Sequence, residues 1–134
     1  MTTRHLEMEE KPTFDLIYDA QRHLILGKIH GEFDSSVVSS MAAALAVMAR
    51  EHACSKVLND LRDAIITRSA FDIFDMPRIV EKAGVPYITK RALVVREPLE
   101  DFQFLETVSF NVGQRVRVFT NYDTAIKWLT GPSA

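Results

Sequence analysis

An unbroken aliphatic run, Ala92-Leu93-Val94-Val95, stands between two stretches with helical periodicity. A strand with one wet face alternates between apolar and polar residues. A strand that is apolar at every position is covered on both faces, which is the setting of a central parallel strand. Parallel strands need crossover connections, usually helices, so this run points to the α/β class. Leu24–Ile29 is almost as continuous, and Lys56–Leu61 carries Val57, Leu58 and Leu61 in a short buried-strand pattern.

The remaining elements follow from period and punctuation. Phe14, Leu16 and Tyr18 alternate over Thr13–Tyr18, and a four-residue turn joins them to Leu24–Ile29, which predicts an antiparallel hairpin. Asp34 or Ser35 caps a helix over Ser36–His52, with Val37, Met41, Leu45 and Met48 on one face. A helical region spans about Ser69 to Ala83, where Ser69 and Asp72 resemble a capping pair, Pro77 breaks or kinks the helix, and Gly84 stops it. Pro98 opens and Gly113 closes another helix, with Phe104, Leu105, Val108 and Val112 as its apolar stripe. Val116–Phe119 reads as an edge or near-edge strand, because Arg115 and Arg117 alternate with Val116 and Val118. Asn121 caps a last helix, which Gly131 and Pro132 end. The order predicts a mixed, mostly parallel sheet with an N-terminal hairpin and four covering helices. Residues 1–12 read as a flexible tail and 13–131 as one domain.

The classes of function narrow by chemistry. The net charge is −2 and lysines and arginines form no cluster, which argues against nucleic acid. Cys54 is the single cysteine and reads as a small core residue; no disulfide scaffold is available to it. His5, His23, His30 and His52 stand in no zinc spacing, so no metal or cofactor is expected. The glycines are scattered rather than gathered in a phosphate loop, and there is no nucleophile elbow, so no catalytic residue stands out. With neither a signal core nor a membrane-length apolar segment, the expected compartment is the cytoplasm.

Three places remain as candidate sites. Ligands of open α/β sheets gather outside the carboxyl ends of the strands. There Arg62 and Arg96 are candidates to hold an anion by charge-assisted hydrogen bonds, with Asp60 and Asp63 to orient them. Thr67 and Ser69 precede a helix start, where a phosphate would meet free amides, although capping needs the same residue types. Finally, no charge occurs between Asp34 and Arg50, so the outer face with Ser39, Ser40, Ala43, Ala46 and Val47 is a candidate interface. Phe110, opposite the stripe of its own helix, is a further interface candidate.

The stretch Phe104-Leu105-Glu106-Thr107-Val108, then Gly113, Val116-Arg117-Val118-Phe119, Ala125 and Trp128-Leu129, together with Asp60-Leu61-Arg62, resembles the SpoIIAA-like (STAS/Sec14-like) family of small bacterial proteins. The resemblance spans about residues 13–130. It implies a STAS-like fold with helices packed mainly on one side of a mixed sheet. The better-known relatives, anti-anti-sigma factors, bind a partner kinase and are switched by phosphorylation at the start of the helix after the central strand. That location corresponds here to Thr67 and Ser69. Where those relatives carry an Asp-Ser-Ser-Gly type of motif, this chain reads Thr67-Arg68-Ser69-Ala70. The expectation is a non-enzymatic regulatory or protein-interaction module, with a protein partner or a second copy of the chain. The alternative is a small-ligand or anion-binding module using the crevice at the carboxyl ends of the strands.

Overall fold

The computed structural model describes residues 13–67 and 72–131. The elements are β1 (Phe14–Asp19), β2 (Leu24–Glu32), α1 (Ser35–His52), β3 (Lys56–Ile65), a 3₁₀ turn (Ile73–Asp75), α2 (Met76–Ala83), β4 (Lys90–Val94), α3 (Glu100–Asn111), β5 (Arg115–Phe119) and α4 (Tyr122–Thr130). The strands lie in one sheet in sequence order, β1 to β5. β1 and β2 pair antiparallel, and every later pair is parallel.

This order dictates where the helices go. Crossovers between parallel strands are right-handed, and a strand order that always steps the same way puts each crossover helix on the same face. Accordingly α1, α2 and α3 share one face. Val38, Met41 and Leu45 of α1, Met76 and Val80 of α2, and Phe102 and Leu105 of α3 close over Ile25, Val57, Leu61, Leu93 and Val116. α4 follows the last strand and is free of that rule. It covers the other face, where Ala125 and Leu129 meet Leu58, Ala92 and Val94. β4 lies between the two layers and is buried throughout, as its aliphatic run requires.

Local chemistry sets the helix ends. Asp34 Oδ1 accepts from the Val37 N–H at 2.9 Å, and Asn121 Oδ1 accepts from the Thr124 N–H at 2.9 Å, both as expected of caps. Pro77 does not break a helix. It lies in the first turn of α2, where its missing N–H leaves no intrahelical bond unmade. Asp72 caps the preceding 3₁₀ turn, accepting from the Phe74 N–H at 3.0 Å; Ser69, its expected capping partner, lies outside the described residues. α3 begins at Glu100, two residues later than Pro98.

Two helix faces differ from expectation. The inward face of α3 is Phe102, Leu105 and Ser109, whereas Phe104 and Val112 are exposed. Ser109 is fully buried, and a polar residue at a core position hid the true stripe from a reading based on hydrophobicity. Ala46 of α1 is likewise in the core, not on the outer face with Ala43 and Val47. Cys54 is buried, as expected.

Candidate functional site

Asp60, Arg62 and Asp63 lie within β3, which runs four residues past its expected end at Leu61. Lys28 pairs with Asp60 and His30 with Asp63, so β3 carries one extra residue against β2. That bulge re-aims the strand and leaves Asp63 within reach of both Lys28 of β2 and Arg96 beyond β4. All four expected crevice residues are therefore brought together.

They are brought together as partners of one another. Arg62 grips Asp60 with two parallel bonds, Nε to Oδ1 at 2.9 Å and Nη2 to Oδ2 at 2.8 Å. The Arg62 backbone N–H adds a third at 3.0 Å. The guanidinium also lies 5.1 Å from the centre of the Tyr122 ring. Arg96 donates twice to the Arg62 carbonyl, at 3.0 and 2.7 Å, and once to Asp63 Oδ1 at 3.1 Å. Lys28 Nζ stands 3.0 Å from Asp63 Oδ2. Burial works to raise the Asp60 carboxyl, but the Arg62 side chain and N–H outweigh it and hold the group below its ordinary value. The Lys28 ammonium holds Asp63 low in the same way. Both arginines thus have carboxylate partners, and with Lys28 the group is a clasp of three cations and two carboxylates joining β2, β3 and the segment after β4.

A different feature lies at the carboxyl end of β3. A cleft of about 550 Å³ is lined by Ile66, Thr67, Asp72, Ile73, Phe74, Leu99, Glu100, Asp101 and Phe102. Thr67 is exposed on its wall; Ser69 lies outside the described residues. Beside the cleft the Phe74 and Phe104 rings meet edge to face, centroids 6.1 Å apart. Both are exposed, Phe104 by 58%. The start of α3 has no side-chain cap, and Glu100 and Asp101 supply negative charge there. Sequence reasoning missed these aromatic residues. One signal was present: Phe102 and Phe104 stand two apart on a helix, about 200° around it, so one of them has to leave the core.

The expected interface residues are exposed but lie apart. Ser39, Ala43 and Val47 form an outward stripe on α1, which packs on α2, β1 and β2. Phe110, 77% exposed, belongs to α3, which packs on β5 and the 3₁₀ turn. Among the described residues no group of three or more histidine, cysteine or acidic side chains is placed to hold a metal ion. No described helix is long and apolar enough to cross a membrane.

No family model matches the sequence, and no characterised protein matches it significantly by sequence. Solved structures do match. An anti-sigma factor antagonist from Mycobacterium paratuberculosis superposes with a TM-score of 0.56 at 10% identity, covering 88% of this chain and 95% of that one. The anti-sigma factor antagonist SpoIIAA in its unphosphorylated form gives 0.53 at 16% identity, covering 89% and 99%. An uncharacterised DUF3478-family protein from Shewanella loihica, described as having a SpoIIAA-like fold, gives 0.58 at 14% identity, covering 87% and 93%. With one antiparallel and three parallel strand pairings and four helices in the same arrangement, the chain has the SpoIIAA-like fold.

Proposed function

We propose that the chain is a non-enzymatic regulatory module of STAS type that binds another protein over the cleft at the carboxyl end of β3. The observation that carries this reading is the exposed aromatic pair Phe74 and Phe104 beside the cleft. Clustered exposed apolar side chains with a polar rim are the usual mark of an interaction surface, and aromatic residues are enriched among those that carry binding energy. The fold adds support, because two structures that share it are described as anti-sigma factor antagonists. Thr67 lies on the cleft wall, so a phosphate there would act on the partner directly.

A photo-crosslinking residue placed at Phe104 tests this in the cells that make the protein. The expected result is an adduct with one discrete protein, lost when Phe74→Ser is added and not formed by a probe at Phe110. The same pattern of adducts from both positions, or none from Phe104, overturns the reading.

The volume of the cleft favours one second reading. About 550 Å³ falls within the usual range of small-ligand sites, about 300–1,000 Å³. A small molecule retained in native mass spectra and released by Phe74→Ser would favour that alternative. The outer stripe of α1 is the surface we assign to self-association, since two-fold dimers are the commonest oligomers.

A further inference from the structure

The amino ends of the parallel strands gather charges that are scattered along the chain. Lys56, Lys90 and Arg115 are the first residues of β3, β4 and β5. They are also partners in register, Lys56 beside Lys90 and Lys90 beside Arg115. Residues so paired face the same side of a sheet, and neighbouring strands lie about 4.8 Å apart. The three cations therefore form one row, against the expectation that lysines and arginines form no cluster.

Lys90 is buried. Its Nζ donates to the Trp128 carbonyl at 2.8 Å and lies 4.4 Å from the centre of the Trp128 ring. It serves the carboxyl end of α4, where a helix favours a cation. Lys56 and Arg115 remain on either side of it, with Arg117, whose Cζ is 5.8 Å from the same ring. Among the described residues, no carboxylate pairs with any of these four cations. Burial lowers the pKa of the Lys90 ammonium, and repulsion from Arg115, Lys56 and Arg117 lowers it further.

The same end of the sheet exposes apolar side chains. Tyr87 and Ile88 lie just before β4, and Phe110 and Val112 lie at the end of α3, just before β5. All four are exposed, Ile88 by 66%. The two segments adjoin, since a Cβ on Gly113 would lie 3.6 Å from Tyr87 Cδ2. The acids of this end, Glu51 and Glu81, have Arg50 and Lys82 beside them in the last turns of α1 and α2. Unpaired cations and exposed apolar groups thus share one end of a chain whose net charge is −2.

We propose that this end is a docking surface for an anionic lipid bilayer. Cations at the headgroups, with aromatic and apolar side chains at the interface, are the means by which proteins hold such a surface. The apolar residues come from two separate turns, and not from one groove or one helix face. A bilayer accepts them without a complementary shape. The cleft lies at the opposite end of β3, so a chain held in this way keeps it open to a partner.

Flotation of the full chain with phosphatidylcholine vesicles, with and without phosphatidylserine, tests the surface. Binding is expected only where phosphatidylserine is present, and it weakens as salt rises. Lys56→Gln and Arg115→Gln each weaken it about five-fold, the effect of one cation near an anionic surface. Ile88→Ser combined with Phe110→Ser weakens it several-fold, whereas Ile17→Ser, at an exposed position on β1, leaves it unchanged. Melting temperatures close to wild type show that the variants are folded. Equal binding to both kinds of vesicle, binding to neither, or binding indifferent to the two charge variants or to the apolar pair overturns the proposal. Release by free glycerophosphoserine at the same headgroup concentration also overturns it, since the cations then form a site for a soluble anion. So does a photo-crosslinking residue at Ile88 that captures one discrete protein and no lipid.

Discussion

Asp60 stands where a central strand ordinarily carries an apolar side chain, and Arg62, two residues on, makes that tolerable. A two-residue step in a strand returns to the same face, so the chain brings its own counter-charge. Because the folded-state pKa of Asp60 lies below the ordinary 3.8, the pair contributes stability that is present above about pH 3.8. That stability is lost as pH falls from there through the depressed folded value. Asp60→Asn should cost about 1–2 kcal/mol at pH 7, less than a fully buried pair because Arg62 is partly exposed. It should also flatten the acid limb of the stability curve. Urea midpoints at pH 3, 4 and 7 decide it: wild type and variant falling in parallel below pH 4 would mean that Asp60 is not the titrating group. Gly27 is a second residue-scale constraint. Gly27→Ala drives a methyl into Met41 and Asn59, and overpacking of this kind costs about 1–3 kcal/mol. The terminal methyl of Met41 is free to shift, so the lower end is expected, again read as a urea midpoint.

At the scale of elements, α3 separates what was legible from what was not. Its existence and its end near Gly113 could be read from punctuation, and φ is +87° at that glycine, a conformation glycine adopts without strain. Its inward face could not be read, because Ser109 occupies a core position and Phe104 an exposed one. The two phenylalanines make this testable. Phe102→Ala should cost about 3–5 kcal/mol, whereas Phe104→Ala should stay within about 0.5 kcal/mol of wild type. Comparable losses would mean that Phe104 is a packing residue and not a docking one. α1 shows the opposite case: its cap, its buried stripe and, apart from Ala46, its uncharged outer face were visible, because Val37, Met41 and Leu45 on one side and Ser39, Ala43 and Val47 on the other keep the helical period. A dimer formed through that outer face is insensitive to salt, and Ala43→Glu returns it to monomer in sedimentation velocity. A chain that is monomeric in both forms removes α1 from the list of interaction surfaces.

For the whole molecule, strand order and the hand of crossovers explain why the fold was readable while the cleft was not. Alternating strands and helices require neighbouring parallel strands, and the handedness rule then places three helices together. A cleft depends instead on where two loops and two outward aromatic rings meet across the end of the sheet. Thr67, read from position alone, falls on its wall. Asp72, Glu100 and Asp101 line the same cleft, so negative charge added at Thr67 enters a region that is already acidic and raises the cost of burying it under a partner. Thr67→Glu should therefore lower the yield of the Phe104 crosslink several-fold and leave the melting temperature unchanged, since Thr67 is exposed. Thr67→Val, similar in size and uncharged, should keep the yield. Equal loss in both variants would mean that the hydroxyl itself is a contact. An undiminished yield in Thr67→Glu would show that charge at this position does not regulate docking, and the aromatic surface would then bind its partner without a switch at Thr67.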